Sequence, residues 1–153
     1  MNKLLEVATK EIDTKESPSG SNKTKYGEWF GLNGVAWCGI FVSWCFAMSG
    51  TPLGTIDYLK GFAGCPYAVR NLKKWGRLVT IPQPGDVVFY DWNGDGKFDH
   101  TGIFVKDLGK GLFEAIEGNT AFGNDSNGGE VMRRADRKYK FAIFVRPKVL
   151  ELK

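Results

Sequence analysis

Apolar and polar positions follow helical spacing in the first half of the chain and strand-like runs in the second. Residues 2–13 set Leu4, Leu5, Val7, Ala8 and Ile12 among charges, the pattern of an amphipathic helix. Glu16 to Lys25 is polar and carries Pro18 and Gly20. The dozen residues before it are too few to stand alone, so it reads as a surface loop rather than a linker. The aromatic, glycine-rich run Tyr26 to Gly31 leads into Gly34–Met48. There, apolar residues at 37, 40, 41, 44, 45 and 48 predict a short buried helix with Cys38 in its first turn. Asn33-Gly34 and Ser49-Gly50-Thr51-Pro52 supply its start and stop signals. Thr51 to Gly64 is irregular. Pro66 then suits the first position of a helix with Ala68, Val69, Leu72 and Trp75 on one face and Gly76 as its stop.

From Leu78 onwards the pattern turns to β. Val87–Tyr90, His100–Val105, Leu112–Glu117, Glu130–Arg134 and Phe141–Val145 read as strands, separated by glycine- and Asp/Asn-rich turns at 107–111 and 123–129. Helices first and then a strand meander predict an α+β fold, N-terminal helices packed on an antiparallel β-sheet, in a single domain over residues 1–153.

Composition narrows the function classes. The 20 glycines and 21 aromatic residues (11 Phe, 5 Tyr, 5 Trp) suit many turns joining aromatic strands. A formal net charge of +4 is spread along the chain without a basic run, so no nucleic-acid partner is expected. Three cysteines without a CxxC spacing suggest neither a disulfide framework nor a zinc site. Cys45 reads as core packing, and Cys65, preceding a helix and half-exposed by expectation, is given no role. Trp37 and Trp44 read as core, and Tyr26 and Trp29 as core or loop packing. The N-terminus lacks the apolar run of a signal peptide, and no apolar run is long enough to insert in a membrane.

The candidate chemistry starts from Cys38. A thiol with a free pKa of about 8.5 is mostly protonated at neutral pH, but a helix N-terminus favours the thiolate. The chain's single histidine, His100, opens a strand, and Glu117 ends one, where a carboxylate is unexpected without a task. Asn119 follows two residues later. An imidazole can take the thiol proton and return it to a leaving amine, and a carboxylate or amide on the far ring nitrogen fixes its tautomer.

The segments Tyr26–Gly34, Trp37–Cys45, Pro84–Phe89, Asp99–Ile103 and Ile116–Thr120 together resemble the CHAP family, the cysteine, histidine-dependent amidohydrolases/peptidases. The resemblance runs from about Tyr26 to Thr120 and implies a papain-like α+β fold. It implies Cys38 as nucleophile, His100 as base, and Glu117 and Asn119 as the groups that orient and polarise the imidazole. It also implies cleavage of a peptidoglycan amide bond, either as an N-acetylmuramoyl-L-alanine amidase or as an endopeptidase of the stem peptide or cross-bridge. Many members are phage endolysins or bacterial autolysins. The expectation is therefore a monomer acting at the bacterial cell wall, phage-encoded and holin-released or virion-associated, with no cofactor required for the chemistry. Two alternatives remain open, a non-catalytic wall-binding module and a cysteine protease acting on proteins.

A second motif is Asp91-Trp92-Asn93-Gly94-Asp95-Gly96-Lys97-Phe98-Asp99. Asp91, Asn93, Asp95, Lys97 and Asp99 fall at the first ligand positions of a calcium loop, with Gly96 at its turn. Gly102 stands where the bidentate acid belongs. The competing reading is a polar turn between strands. A structural calcium ion there would lie next to His100 in sequence.

Overall fold

A computed structural model describes residues 2–151 of the chain. Helix α1 (Lys3–Lys10) starts at Asn2, whose side chain accepts a hydrogen bond from Leu5 N at 2.8 Å, and it buries Leu4, Leu5 and Ala8. Helix α2 (Lys25–Phe30) is capped by Thr24 and ends at Gly31, whose φ of 88° is the left-handed conformation of a helix stop. Helix α3 (Cys38–Met48) is less one-sided than its spacing predicts. Gly39, Val42, Ser43 and Phe46 are buried along with Cys38, Ile40, Phe41 and Cys45, so the helix is enclosed almost all round.

Helix α4 (Cys65–Arg70) has Pro66 in its first turn as expected but ends at Arg70, and a 3-10 turn over Leu72–Lys74 follows. Gly76 is no helix stop. It opens strand β1 (Gly76–Val79), where a Cβ would fall 2.7 Å from the Arg146 carbonyl oxygen, so only glycine lets the two strands approach.

The other strands are β2 (Val87–Tyr90), β3 (His100–Gly109), β4 (Leu112–Thr120), β5 (Glu130–Lys138) and β6 (Ala142–Pro147), followed by the short helix α5 (Lys148–Glu151). They form a six-stranded antiparallel sheet in the order β1-β6-β2-β3-β4-β5. The α+β expectation holds. Strands β3 and β4 run further than their apolar cores because the hairpin between them is tight, with Lys110 and Gly111 both at positive φ.

Val87, Phe89, Ile103, Ile116 and Val145 pack with α1, α2 and α3 in the main core. The alternate positions Val88, Tyr90, Phe104, Phe113, Ala115 and Phe144 form a second aromatic cluster. Strand β2 is buried on both faces, which explains its unbroken apolar run. Two features of this packing place the site. The β2–β3 register sets Tyr90 opposite His100, and the β3–β4 register sets Ile103 opposite Ile116, one residue before Glu117. Helix α3 also lies close over β4 at Gly118, where a Cβ would fall 2.7 Å from Phe41 Cβ and 2.8 Å from Trp37 Cζ3. Among the described residues, no helix is long and apolar enough to cross a membrane.

Candidate active site

Cys38 is the first residue of α3, His100 the first residue of β3, and Glu117 lies within β4, which runs on to Thr120 rather than ending at the carboxylate. The fold brings all three together. His100 Nε2 and Glu117 Oε1 are 2.9 Å apart, and both side chains are completely buried. The other ring nitrogen, Nδ1, is buried without a hydrogen-bond partner. Cys38 and His100 nevertheless lie close enough to shift each other's titration. With Nε2 committed to Glu117, Nδ1 is the ring nitrogen left free to serve the thiol. The order thiol, imidazole, carboxylate is the one general-base activation of a nucleophile needs.

The electrostatics agree. Hydrogen bonding from the Cys65 thiol is the largest influence on Cys38 and lowers its pKa well below the usual thiol range. Burial opposes that shift, and His100 and the Gly39 N–H add to the lowering. Burial by itself would lower His100, but Glu117 and Cys38 outweigh it and raise the imidazole to about 9. Burial likewise pushes Glu117 up, while His100 and Arg137 together bring it down to about 2. These shifts favour the thiolate, imidazolium and carboxylate forms of the three groups.

Glu117 is itself held by a group that sequence reasoning missed. Arg137, on β5, donates from Nε to Glu117 Oε2 at 2.9 Å and from Nη2 to Oε1. Tyr90 OH donates to Oε2 at 2.7 Å, and burial and Glu117 raise the Tyr90 pKa well above its ordinary value. The guanidinium lies over the rings of Tyr90 and Trp92, 5.2 and 5.0 Å from their centroids. Those two rings stack on each other at 4.6 Å and extend towards His100. Arg137 Nη1 also donates to Asp125 at 3.0 Å, and Arg134 donates to the same oxygen. A buried carboxylate is thus fully partnered by a guanidinium, a phenol and an imidazole.

Asn119 is not on the imidazole, contrary to what the family resemblance implies. Its Oδ1 accepts from Gly129 N at 3.1 Å and its Nδ2 donates to Asn127 Oδ1 at 3.3 Å. The backbone explains the difference. Asn119 has a φ of 57°, and the β4–β5 register shifts between Glu117 and Thr120, so positions 117 and 119 no longer share a direction. The residue clamps the 121–129 loop. Cys65 also departs from expectation. It is the first residue of α4, buried, and close enough to Cys38 for the two thiols to shift each other's titration. Cys45 is buried in the core as expected, and its thiol is pushed up by burial. Trp37 and Tyr26 are also buried, stacked at 5.6 Å.

The 91–99 loop is a set of side-chain-capped turns. Asp91 accepts from Gly94 N and Gly96 N, Asn93 from Asp95 N, Asp95 from Lys97 N, and Asp99 from Trp92 N. Among the described residues no three His, Cys, Asp or Glu side chains gather as a metal group.

The sequence model of the family described as CHAP domain matches residues 30–119. That span includes Cys38, His100, Glu117 and Asn119 and stops short of Arg137. No curated protein matches the chain.

Proposed function

The chain belongs to the CHAP family of amidase- and peptidase-type hydrolases, which act typically on peptidoglycan, and from that premise we propose that it cleaves an amide bond of the bacterial cell wall through a thioester on Cys38. The observation that supports this reading most is the buried His100 Nε2–Glu117 pair, with the other ring nitrogen unpartnered and Cys38 close enough to the imidazole to share its titration. The Cys38 thiolate attacks the scissile carbonyl carbon. The first N–H groups of α3, which lack a side-chain cap, face the developing oxyanion. The imidazolium gives its proton to the leaving amine as the C–N bond breaks, leaving an acyl thioester. Neutral His100 then takes a proton from water, hydroxide attacks the thioester, and the carboxylic acid leaves as the thiolate returns. Glu117 stays ionised throughout and stabilises the imidazolium.

The test is clearing of a bacterial wall suspension by the wild type, Cys38→Ala and His100→Ala, with casein as a protein control. Wall clearing by the wild type alone, with casein untouched, is the expected result. Clearing by Cys38→Ala refutes the nucleophile, and casein digestion without wall clearing favours a protein protease.

A further inference from the structure

We propose that Cys65 is a resolving thiol for Cys38, and that peroxide converts the pair into a disulfide that locks the site reversibly. This inference rests on Cys38 being the nucleophile proposed above. The two cysteines open helices α3 and α4, are 5% exposed each, and belong to the same core cluster.

A built turn carries Cys65 to its neighbour. Ser43, on α3, donates to the Phe62 carbonyl at 3.3 Å and accepts from Phe62 N at 3.1 Å. Gly39 packs so closely on Phe62 that a Cβ would lie 2.8 Å from its ring. Asp57 then accepts from Ala63 N at 3.1 Å and Gly64 N at 3.0 Å, folding the segment immediately before Cys65. The chain at 62–65 is thereby pinned to the first turns of α3, which sets Cys65 beside Cys38.

The contact divides the labour between the thiols. It lowers Cys38 and raises Cys65, so one sulfur is a thiolate and the other keeps its proton. A low-pKa thiolate beside a second thiol is the arrangement that oxidises reversibly rather than to dead ends. The Cys38 thiolate attacks one oxygen of hydrogen peroxide. The O–O bond breaks, hydroxide leaves, and Cys38 becomes a sulfenic acid, its sulfur oxidised by two electrons. Cys65 sulfur then attacks Cys38 sulfur as its proton passes to the departing oxygen. The S–O bond breaks, water leaves, and the sulfurs close to about 2 Å. A dithiol reductant reverses the step by exchange. In the locked form Cys38 has no thiolate to offer a substrate. Cys45, elsewhere on α3 and raised by burial, stays reduced as an internal control.

The experiment treats the purified full chain with hydrogen peroxide and then with dithiothreitol. Intact mass, peptide mapping under non-reducing conditions, iodoacetamide labelling of Cys38 and wall clearing are read in parallel. The wild type is expected to become lighter by two hydrogens, with a Cys38–Cys65 cross-linked peptide. Labelling and clearing are lost together and return after reduction. Cys65→Ser and Cys65→Ala, each compared with its own untreated sample, are expected to gain two or three oxygens at Cys38, as the sulfinic or sulfonic acid, and to recover no labelling. A wild type that gains oxygen without the cross-link overturns the proposal, as does equal recovery in wild type and variants. Mass and labelling do not need a substrate, so a chain that forms the cross-link but clears no wall refutes the proposed function and leaves the disulfide standing.

Discussion

Arg137 holds Glu117 by two hydrogen bonds, and Glu117 in turn holds His100, so a residue of β5 sets the charge of the imidazole on β3 without touching it. Arg137→Ala leaves a buried carboxylate short of its cation, which costs about 3–5 kcal/mol of stability. Glu117 then titrates higher and supports the imidazolium less. The expected result is a lower melting temperature together with a downward shift of the alkaline limb in the pH profile of turnover. Arg137→Lys, which keeps the charge but not the two-pronged fit, is expected to recover part of that shift. A melting change with an unmoved pH profile would make Arg137 merely structural.

The ion pair itself has a pH signature. Iodoacetamide labelling of Cys38 should be fast at pH 6–7, where an ordinary thiol with a pKa of about 8.5 is slow. Turnover should decline above about 9, as the imidazolium loses the proton the leaving amine needs. Stability follows the same groups. His100 rises from 6.5 to about 9 on folding, so its contribution is full below 6.5 and is lost as the pH climbs through 9. Glu117 falls from 4.5 to about 2, so its contribution is full above 4.5 and is lost as the pH drops towards 2. A melting temperature measured across pH should therefore peak between those limits.

Gly102 sits on β3 against Glu117. A Cβ there would lie 2.5 Å from Glu117 Cγ and 3.1 Å from the Ile116 carbonyl oxygen. Gly102→Ala must displace the carboxylate, with an overpacking cost of about 1–3 kcal/mol. Its wall-clearing activity should fall far more than that of a surface Gly→Ala variant of equal melting temperature. Unchanged activity would show that the carboxylate has room to adjust.

Asn119 gives the opposite signature. Asn119→Ala loses both hydrogen bonds to the 127–129 segment and places alanine at a φ of 57°. Amide exchange at Gly128 and Gly129 should accelerate, while the alkylation profile of Cys38 stays as in the wild type. Asn119→Gly relieves the backbone conformation alone and is expected to lie between the two. A shifted alkylation profile would return Asn119 to the imidazole.

What the residue pattern made legible is local. The spacing around Cys38 marks a helix, the apolar runs mark the strands, and Glu117 ending one of them marks a carboxylate with a task. Arg137 was hidden because Arg133-Arg134-Ala135-Asp136-Arg137-Lys138 looks like a solvated charged face. The burial of Val131, Arg134 and Arg137 comes from an irregular register, and strict alternation does not predict it. The one available signal was indirect, since a buried glutamate needs a cation. Cys65 was hidden for another reason. Its contact with Cys38 depends on Asp57, Phe62 and Ser43 folding an irregular segment back on α3, and no spacing encodes that. Asn119 was misplaced because its role was carried over from the family resemblance, whereas its positive φ and its hydrogen bonds tie it to the 127–129 segment.

The most direct measurement is mass spectrometry of the soluble fragments released from purified peptidoglycan by the wild type and by Cys38→Ala. The wild type should release fragments with one class of new terminus, either a free lactyl group on muramic acid or a free amine within the peptide, and Cys38→Ala should release none. New reducing sugar ends without new peptide termini, or the same fragments from Cys38→Ala, would contradict a cysteine amidohydrolase.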